Sequence, residues 1–136
     1  MISFKKLALF YFTTISFLFA DFKTISTKEV EILIKKNIPI IDIRTHKEFS
    51  EFGIIENSYK LTFFDTYGNY NIDIWMDKFT KIIKNKNQPF ILVCAHANRT
   101  KILGELLSKE YGYKNVYELD GGIKHGWIYK KNKVVK

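Results

Sequence analysis

The chain alternates short apolar runs with segments in which apolar residues recur every three or four positions. Phe22 to Ile25 has strand character. Ser26-Thr27-Lys28-Glu29 then carries a capping-box pattern, with Ser26 placed at the N-cap and Glu29 three residues on. Val30, Leu33 and Ile34 follow at helical spacing, and Asn37 closes that helix. Ile38-Pro39-Ile40-Ile41-Asp42-Ile43 is a continuous apolar run, the kind buried on both faces of a parallel sheet. Thr45-His46-Lys47-Glu48 is a second capping box, opening a short helix through Phe52 that Gly53 ends. Ser58 to Phe63 predicts another strand, and Asp65 to Tyr70, with Gly68 and Asn69, a turn.

In the second half Ile72, Trp75, Met76, Phe79, Ile82 and Ile83 form one face of a helix running to Asn85. Pro89 to Cys94 is the next buried strand. A helix from Thr100 to about Tyr111 is expected to turn Ile102, Leu103, Leu106 and Leu107 inward, with Gly112 at its end. Val116 to Leu119 is the last strand, followed by Gly121-Gly122 and a short segment to Trp127. The Lys-rich residues 130–136 are expected to fray at the surface. Strands alternate with helices without repeat or linker. This predicts one α/β domain over residues 21–136, with a mostly parallel five-stranded sheet and helices on both faces.

Residues 1–20 break the pattern. Lys5 and Lys6 precede an apolar run from Leu7 to Ala20, the layout of a secretory signal peptide with cleavage expected after Ala20. Thr13, Thr14 and Ser16 interrupt the run, and it is short for a membrane span. The protein is therefore expected to be exported, to a bacterial periplasm, without stable membrane contact. An uncleaved leader would instead anchor it.

The formal charge is +8, almost all from lysine, since only Arg44 and Arg99 are arginines. A dispersed lysine surplus reads most simply as solvated surface; the functional alternative is a mild pull on anionic substrates or partners. No basic block is interleaved with aromatics, which excludes a nucleic-acid interface. Arginine's scarcity marks Arg44 and Arg99 as candidates for planar, multi-donor contacts that lysine cannot replace. The single cysteine cannot form an intramolecular disulfide. No Cys/His cluster has metal-site spacing, so neither a metal nor another cofactor is expected.

Cys94 is then either a buried small hydrophobe or a reactive thiol. Its place favours the second reading. It ends a buried strand just before a helix, where sites form in open α/β sheets and where a helix N-terminus can stabilise a thiolate. Ala95 and Ala97 let the backbone approach a ligand. A tight curl from Ala95 through His96, Ala97 and Asn98 to Arg99 would turn successive N–H groups inward as an anion nest, to which Arg99 could add a charged fork. His96 either orients a donor, or carries charge in the empty loop and helps hold the thiolate, or is a solvated loop residue, for no partner in sequence would hold it as a base. His46 and His125 read as surface.

Three segments together resemble the rhodanese-like domains, the single-domain sulfurtransferases, over roughly residues 24–128. Ile40-Ile41-Asp42-Ile43-Arg44, with Glu48-Phe49 and Gly53-Ile54-Ile55, is similar to the family's first signature. Ile91-Leu92-Val93-Cys94 with Asn98-Arg99-Thr100 is similar to its active-site loop. Leu119-Asp120-Gly121-Gly122-Ile123, with Trp127, is similar to its C-terminal signature. The resemblance implies that Cys94 is a nucleophile that takes sulfane sulfur as a persulfide and passes it to a thiophilic acceptor. Residues Ala95 to Arg99 would bind the persulfide. The partners implied are a small sulfur donor and a thiol or protein acceptor.

Asp42, Arg44 and Glu48 would be supporting residues. Arg44 would pair with Glu48, and Asp42 would fix the loop's backbone. The alternative for these residues is ordinary capping and a surface ion pair. The loop departs from the family pattern at Ala95, where a basic residue is usual, and at Ala97, where Gly is usual. A positive φ at Ala97 would cost roughly 1 kcal/mol. Two other readings stand beside sulfur transfer. One is a non-enzymatic binding or redox-sensing module. The other is a Cys/Arg phosphatase or arsenate reductase, whose Cys-to-Arg spacer is normally one residue longer.

Overall fold

The structure, a computed structural model, describes residues 21–136. The expected leader at 1–20 lies outside the described residues. Along the chain come β1 (Asp21–Ile25), α1 (Thr27–Lys35), β2 (Ile40–Asp42), α2 (His46–Phe52), β3 (Tyr59–Lys60), α3 (Ile72–Ile82), β4 (Phe90–Val93), α4 (Asn98–Lys109) and β5 (Asn115–Leu119). A single π-helical turn, Lys124–Ile128, follows. The five strands pair in the order β1-β5-β4-β2-β3, every pairing parallel.

Strand alternation divides the core between the two faces of the sheet. Ile41, Ile43, Phe90, Leu92, Cys94 and Val116 pack with Trp75, Phe79, Leu103 and Leu107 of α3 and α4. Ile40, Ile91 and Val93 pack with Val30 of α1 and with Ile123 and Trp127. The expected α/β architecture with helices on both faces is what forms. Both predicted capping boxes are present, Ser26 with Glu29 and Thr45 with Glu48.

Several local expectations fail: the strand expected over Ser58 to Phe63 is confined to Tyr59–Lys60, and the helix expected to run to Asn85 ends at Ile82. Helix α4 starts at Asn98 rather than Thr100. Ile102 is 59% exposed, because Leu103 and Leu107 set the inward stripe and Ile102 lies about a hundred degrees of turn away. The C-terminal tail does not fray. Val135 forms an antiparallel bridge with Ile54 through backbone bonds of 2.8 and 2.9 Å, and Trp127 Nε1 donates to the Lys133 carbonyl. The two valines in the tail explain this, for Val134 packs against the second core cluster.

Candidate active-site loop

The carboxyl ends of β2, β4 and β5 converge on the loop between β4 and α4. Cys94 directly follows β4 and is 1% exposed, with Sγ 3.5 Å from Thr100 Oγ1. Ala95 and Ala97 are buried, while His96 and Asn98 face solvent. Ala97 occupies the N-cap position of α4 in the left-handed region, φ 64° and ψ 13°. A glycine would adopt that conformation without strain, so the loop carries the cost expected of alanine there. Ala97 has no side-chain oxygen, and no side-chain bond caps α4. Among the described residues, the N–H groups of Ala95, His96 and Ala97 also meet no protein acceptor. The loop thus presents consecutive open donors beside a buried sulfur, the arrangement of an anion nest.

The back of the loop is held by the glycine pair after β5. Gly122 has φ 64°, and a Cβ there would stand 2.4 Å from the Ala95 carbonyl oxygen and 2.6 Å from His96 N. Ile123 N donates to the Cys94 carbonyl at 2.8 Å, and Lys124 N to the Ala95 carbonyl at 3.2 Å. The loop therefore keeps its curl through main-chain bonds that only a residue without a side chain allows to close.

Arg99 is committed to Glu48. Nη1 donates to Oε1 at 2.6 Å and Nη2 to Oε2 at 2.7 Å, a bidentate pair linking α4 to α2. Burial pushes the Glu48 carboxyl up, but the bonds from Arg99 and from the Thr45 backbone outweigh it and hold the group below its usual value. The expected pairing of Arg44 with Glu48 does not form. Arg44 instead grips Asp42, with Nε 2.9 Å from Oδ1 and Nη2 2.7 Å from Oδ2, and Nη2 also donates to the Gly53 carbonyl. Residues two apart in extended chain share a face, which is why Asp42 reaches Arg44 before Glu48 can.

Nor does Asp42 bond the backbone of the Cys94 loop, since its hydrogen bonds go to Arg44. Both side chains are buried, at 1% and 0% exposure, so this is not a surface pair. Burial leaves the Asp42 carboxyl above its usual value despite the Arg44 guanidinium against it.

His96 is exposed at the loop's rim, with its ring 5.2 Å from His125 and His125 edge-on to Tyr129 at 5.0 Å. His125 is therefore a neighbour of the loop as well as a surface residue. Glu118 is not among the residues singled out above, and it is 0% exposed. Its Oε2 accepts from Thr100 Oγ1 at 2.6 Å, and its Oε1 from Thr24 Oγ1 at 2.6 Å and from Lys101 Nζ. The signal was there: in β5 a charged residue alternates with Val116 on a face that a helix must cover.

The chain matches the family model of the rhodanese-like domain over residues 26–128. No match is found among curated proteins. Among solved structures it is similar to a rhodanese-related protein from Thermoplasma volcanium, with 28% identity over 83% of this chain and 97% of that one, and a TM-score of 0.61. It is also similar in fold to the polysulfide-sulfur transferase homodimer of Wolinella succinogenes, with 23% identity, 87% and 81% of the two chains covered, and a TM-score of 0.64. A third fold neighbour is a Rhodopseudomonas palustris protein described as a possible tyrosine phosphatase, with 22% identity, 84% and 85% covered, and a TM-score of 0.58.

Proposed function

Because the chain belongs to the rhodanese-like domain family, we propose that it is an exported sulfurtransferase or persulfide carrier with Cys94 as the sulfur-bearing residue. The observation that carries this reading is the buried sulfur beside the open N–H groups of Ala95, His96 and Ala97. A thiolate at Cys94 attacks the sulfane sulfur of a donor. With thiosulfate, the sulfur–sulfur bond of the donor breaks, sulfite leaves with the bonding pair, and Cys94 holds a persulfide anion. An acceptor nucleophile then takes the outer sulfur and returns the thiolate, so two easier exchanges replace one direct transfer. The open amides stabilise the anion in each state. Asp42 and Arg44 act at a distance by securing the Gly53 end of α2, and α2 carries Glu48 to Arg99.

Donors in this reading are small sulfane compounds such as thiosulfate, polysulfide or a persulfide, and the acceptor is a thiol or a protein. Ala95 removes a basic contact that would suit thiosulfate, which favours the less charged donors. Cyanolysis and intact-mass measurement after incubation with each donor test the proposal. The expected result is one added sulfur on the protein, lost in Cys94→Ser together with all transfer. An unmodified Cys94 with every donor sinks it. Fractionation of the full-length protein tests export.

Two alternatives have their own observations. The exposed His96, His125 and Tyr129 rings beside the loop suit partner recognition. A binding module without chemistry predicts that Cys94→Ala keeps partner binding. Oxyanion chemistry of the phosphatase or arsenate reductase kind is less favoured, since Glu48 already occupies both terminal nitrogens of Arg99. Phosphomonoesterase or arsenate reductase activity lost in Cys94→Ser would reverse that order.

A further inference from the structure

We propose that Glu118 is a positioning residue that restrains ionisation of Cys94 through the single hydroxyl proton of Thr100. The inference rests on Cys94 working as a thiolate, the reading given above. An ionised carboxylate only accepts, so the 2.6 Å bond between Thr100 and Glu118 commits the Thr100 proton to Oε2. In the 3.5 Å contact between Cys94 and Thr100, sulfur is then the donor and the hydroxyl oxygen the acceptor. A thiol fits that arrangement and a thiolate does not. For a thiolate to gain a hydrogen bond here, Thr100 must swing its proton to sulfur and leave a buried carboxylate oxygen without it.

The surrounding charges leave Glu118 in this role. On α4, Lys101 sits on the other oxygen, Oε1, and its side chain is 56% exposed. On β1, Thr24 supplies the second hydroxyl to that oxygen. Lys23 and Tyr117 are partners in register one position away and so share the opposite face of the sheet. On β4, Leu92 is the apolar neighbour in register. Near Cys94 itself, Arg99 lies within electrostatic reach, but its charge is answered by Glu48. Asp42 and Arg44 answer each other. His96 lies at the exposed rim with His125.

The restraint falls on the free thiol and not on the loaded form. In a persulfide the charge sits on the outer sulfur, about 2 Å further along the new bond. The sulfur facing Thr100 is then neutral and can do without a donated proton. Glu118 thus disfavours the free thiolate and leaves the thiol and the persulfide untouched. A lone thiol in an oxidising compartment is less open to attack while it stays protonated.

The test is the rate of Cys94 alkylation by iodoacetamide as a function of pH, with folding of each variant checked by circular dichroism. Glu118→Gln is expected to move the midpoint of the profile down by about one pH unit, which speeds alkylation below the midpoint up to about tenfold. In a Thr100→Val background the same replacement is expected to move it less than half as far, since only through-space repulsion remains. An unmoved or higher midpoint in folded Glu118→Gln overturns the proposal, and so do equal shifts in the two backgrounds. Should Glu118→Gln fail to fold, Lys101→Met reads the same restraint from its exposed partner. There the midpoint should rise, and an unmoved or lower one overturns the proposal. No sulfur donor enters the measurement. A failed restraint therefore leaves sulfur transfer standing, and a protein that takes up no sulfur leaves the alkylation result standing.

Discussion

The starts of α2 and α4 are joined by one residue, Glu48, and they are finished in opposite ways. At α2 the chain closes its own donors: Thr45 Oγ1 accepts from Glu48 N, and Glu48 Oε1 accepts from Thr45 N, both at 3.3 Å. Ser26 and Asn71 do comparable work for α1 and α3. At α4 the N-cap is an alanine in a left-handed conformation and nothing in the side chains closes the turn. A helix start that is saturated by its own residues serves the fold. One left open next to a nucleophile is available to an anion, and the unsatisfied donors are a standing cost until the anion is present. Glu48 braces the open start from the closed one.

The contrast should break most completely when the open loop is pushed from behind. Gly122→Ala places a methyl group 2.4 Å from the Ala95 carbonyl oxygen, and its φ of 64° adds strain. We expect a stability loss of about 2 kcal/mol or more in urea unfolding. Persulfide loading, read by mass, should fall at least about tenfold, since a small displacement of reacting groups has effects of that order or larger. Loading at the wild-type rate would mean that the loop's curl is not what matters.

Removing the brace should cost less. Glu48→Gln leaves Arg99 without its bidentate partner, and a loss of about 1–2 kcal/mol at neutral pH is expected. The sign of its pH dependence follows from the lowered Glu48 carboxyl. The pair's contribution is present above the usual value of 4.5 and disappears as pH falls through the lower folded-state value. The gap between wild type and variant in urea midpoint should therefore close in acid. A gap that widens there would contradict the assignment.

The smallest effects sharpen the comparison from its two ends. Thr45→Ala opens the closed start and should cost about 1 kcal/mol. Ala97→Gly relaxes the open one and should gain about 0.5 kcal/mol, with strain relief partly offset by the extra freedom of glycine in the unfolded chain. If Ala97→Gly destabilises the protein, the left-handed alanine is not strained in the way argued above.

Much of this contrast could be read from the sequence. Ser26 with Glu29 and Thr45 with Glu48 are local patterns whose partners lie three residues away, and both form. Cys94 could be placed because a buried strand followed by a helix leaves little choice about where its end lies. Expectation and structure part where local spacing competes with tertiary partners. Arg44 and Glu48 are four apart, which suggests a helical pair, but Arg44 precedes the helix and shares a face with Asp42. Glu48 was then free for Arg99, fifty-one residues on, a contact with no local signature. Glu118 escaped for the same reason, with partners on β1 and α4. Its only trace was a carboxylate in a strand whose alternate positions are apolar.

The sheet order has a consequence for time as well as for space. Strand β1 is an edge, and its partner is β5, so Asp21–Ile25 waits for Asn115–Leu119 before it can pair. The bridge between Ile54 and Val135 waits longer still, since Val135 lies sixteen residues beyond Leu119. A chain that emerges from its N-terminus holds β1 unpaired until β5 is out. It completes its clamp only once Val135 has followed. Such late closure slows folding, because distant contacts must be brought together before they stabilise anything.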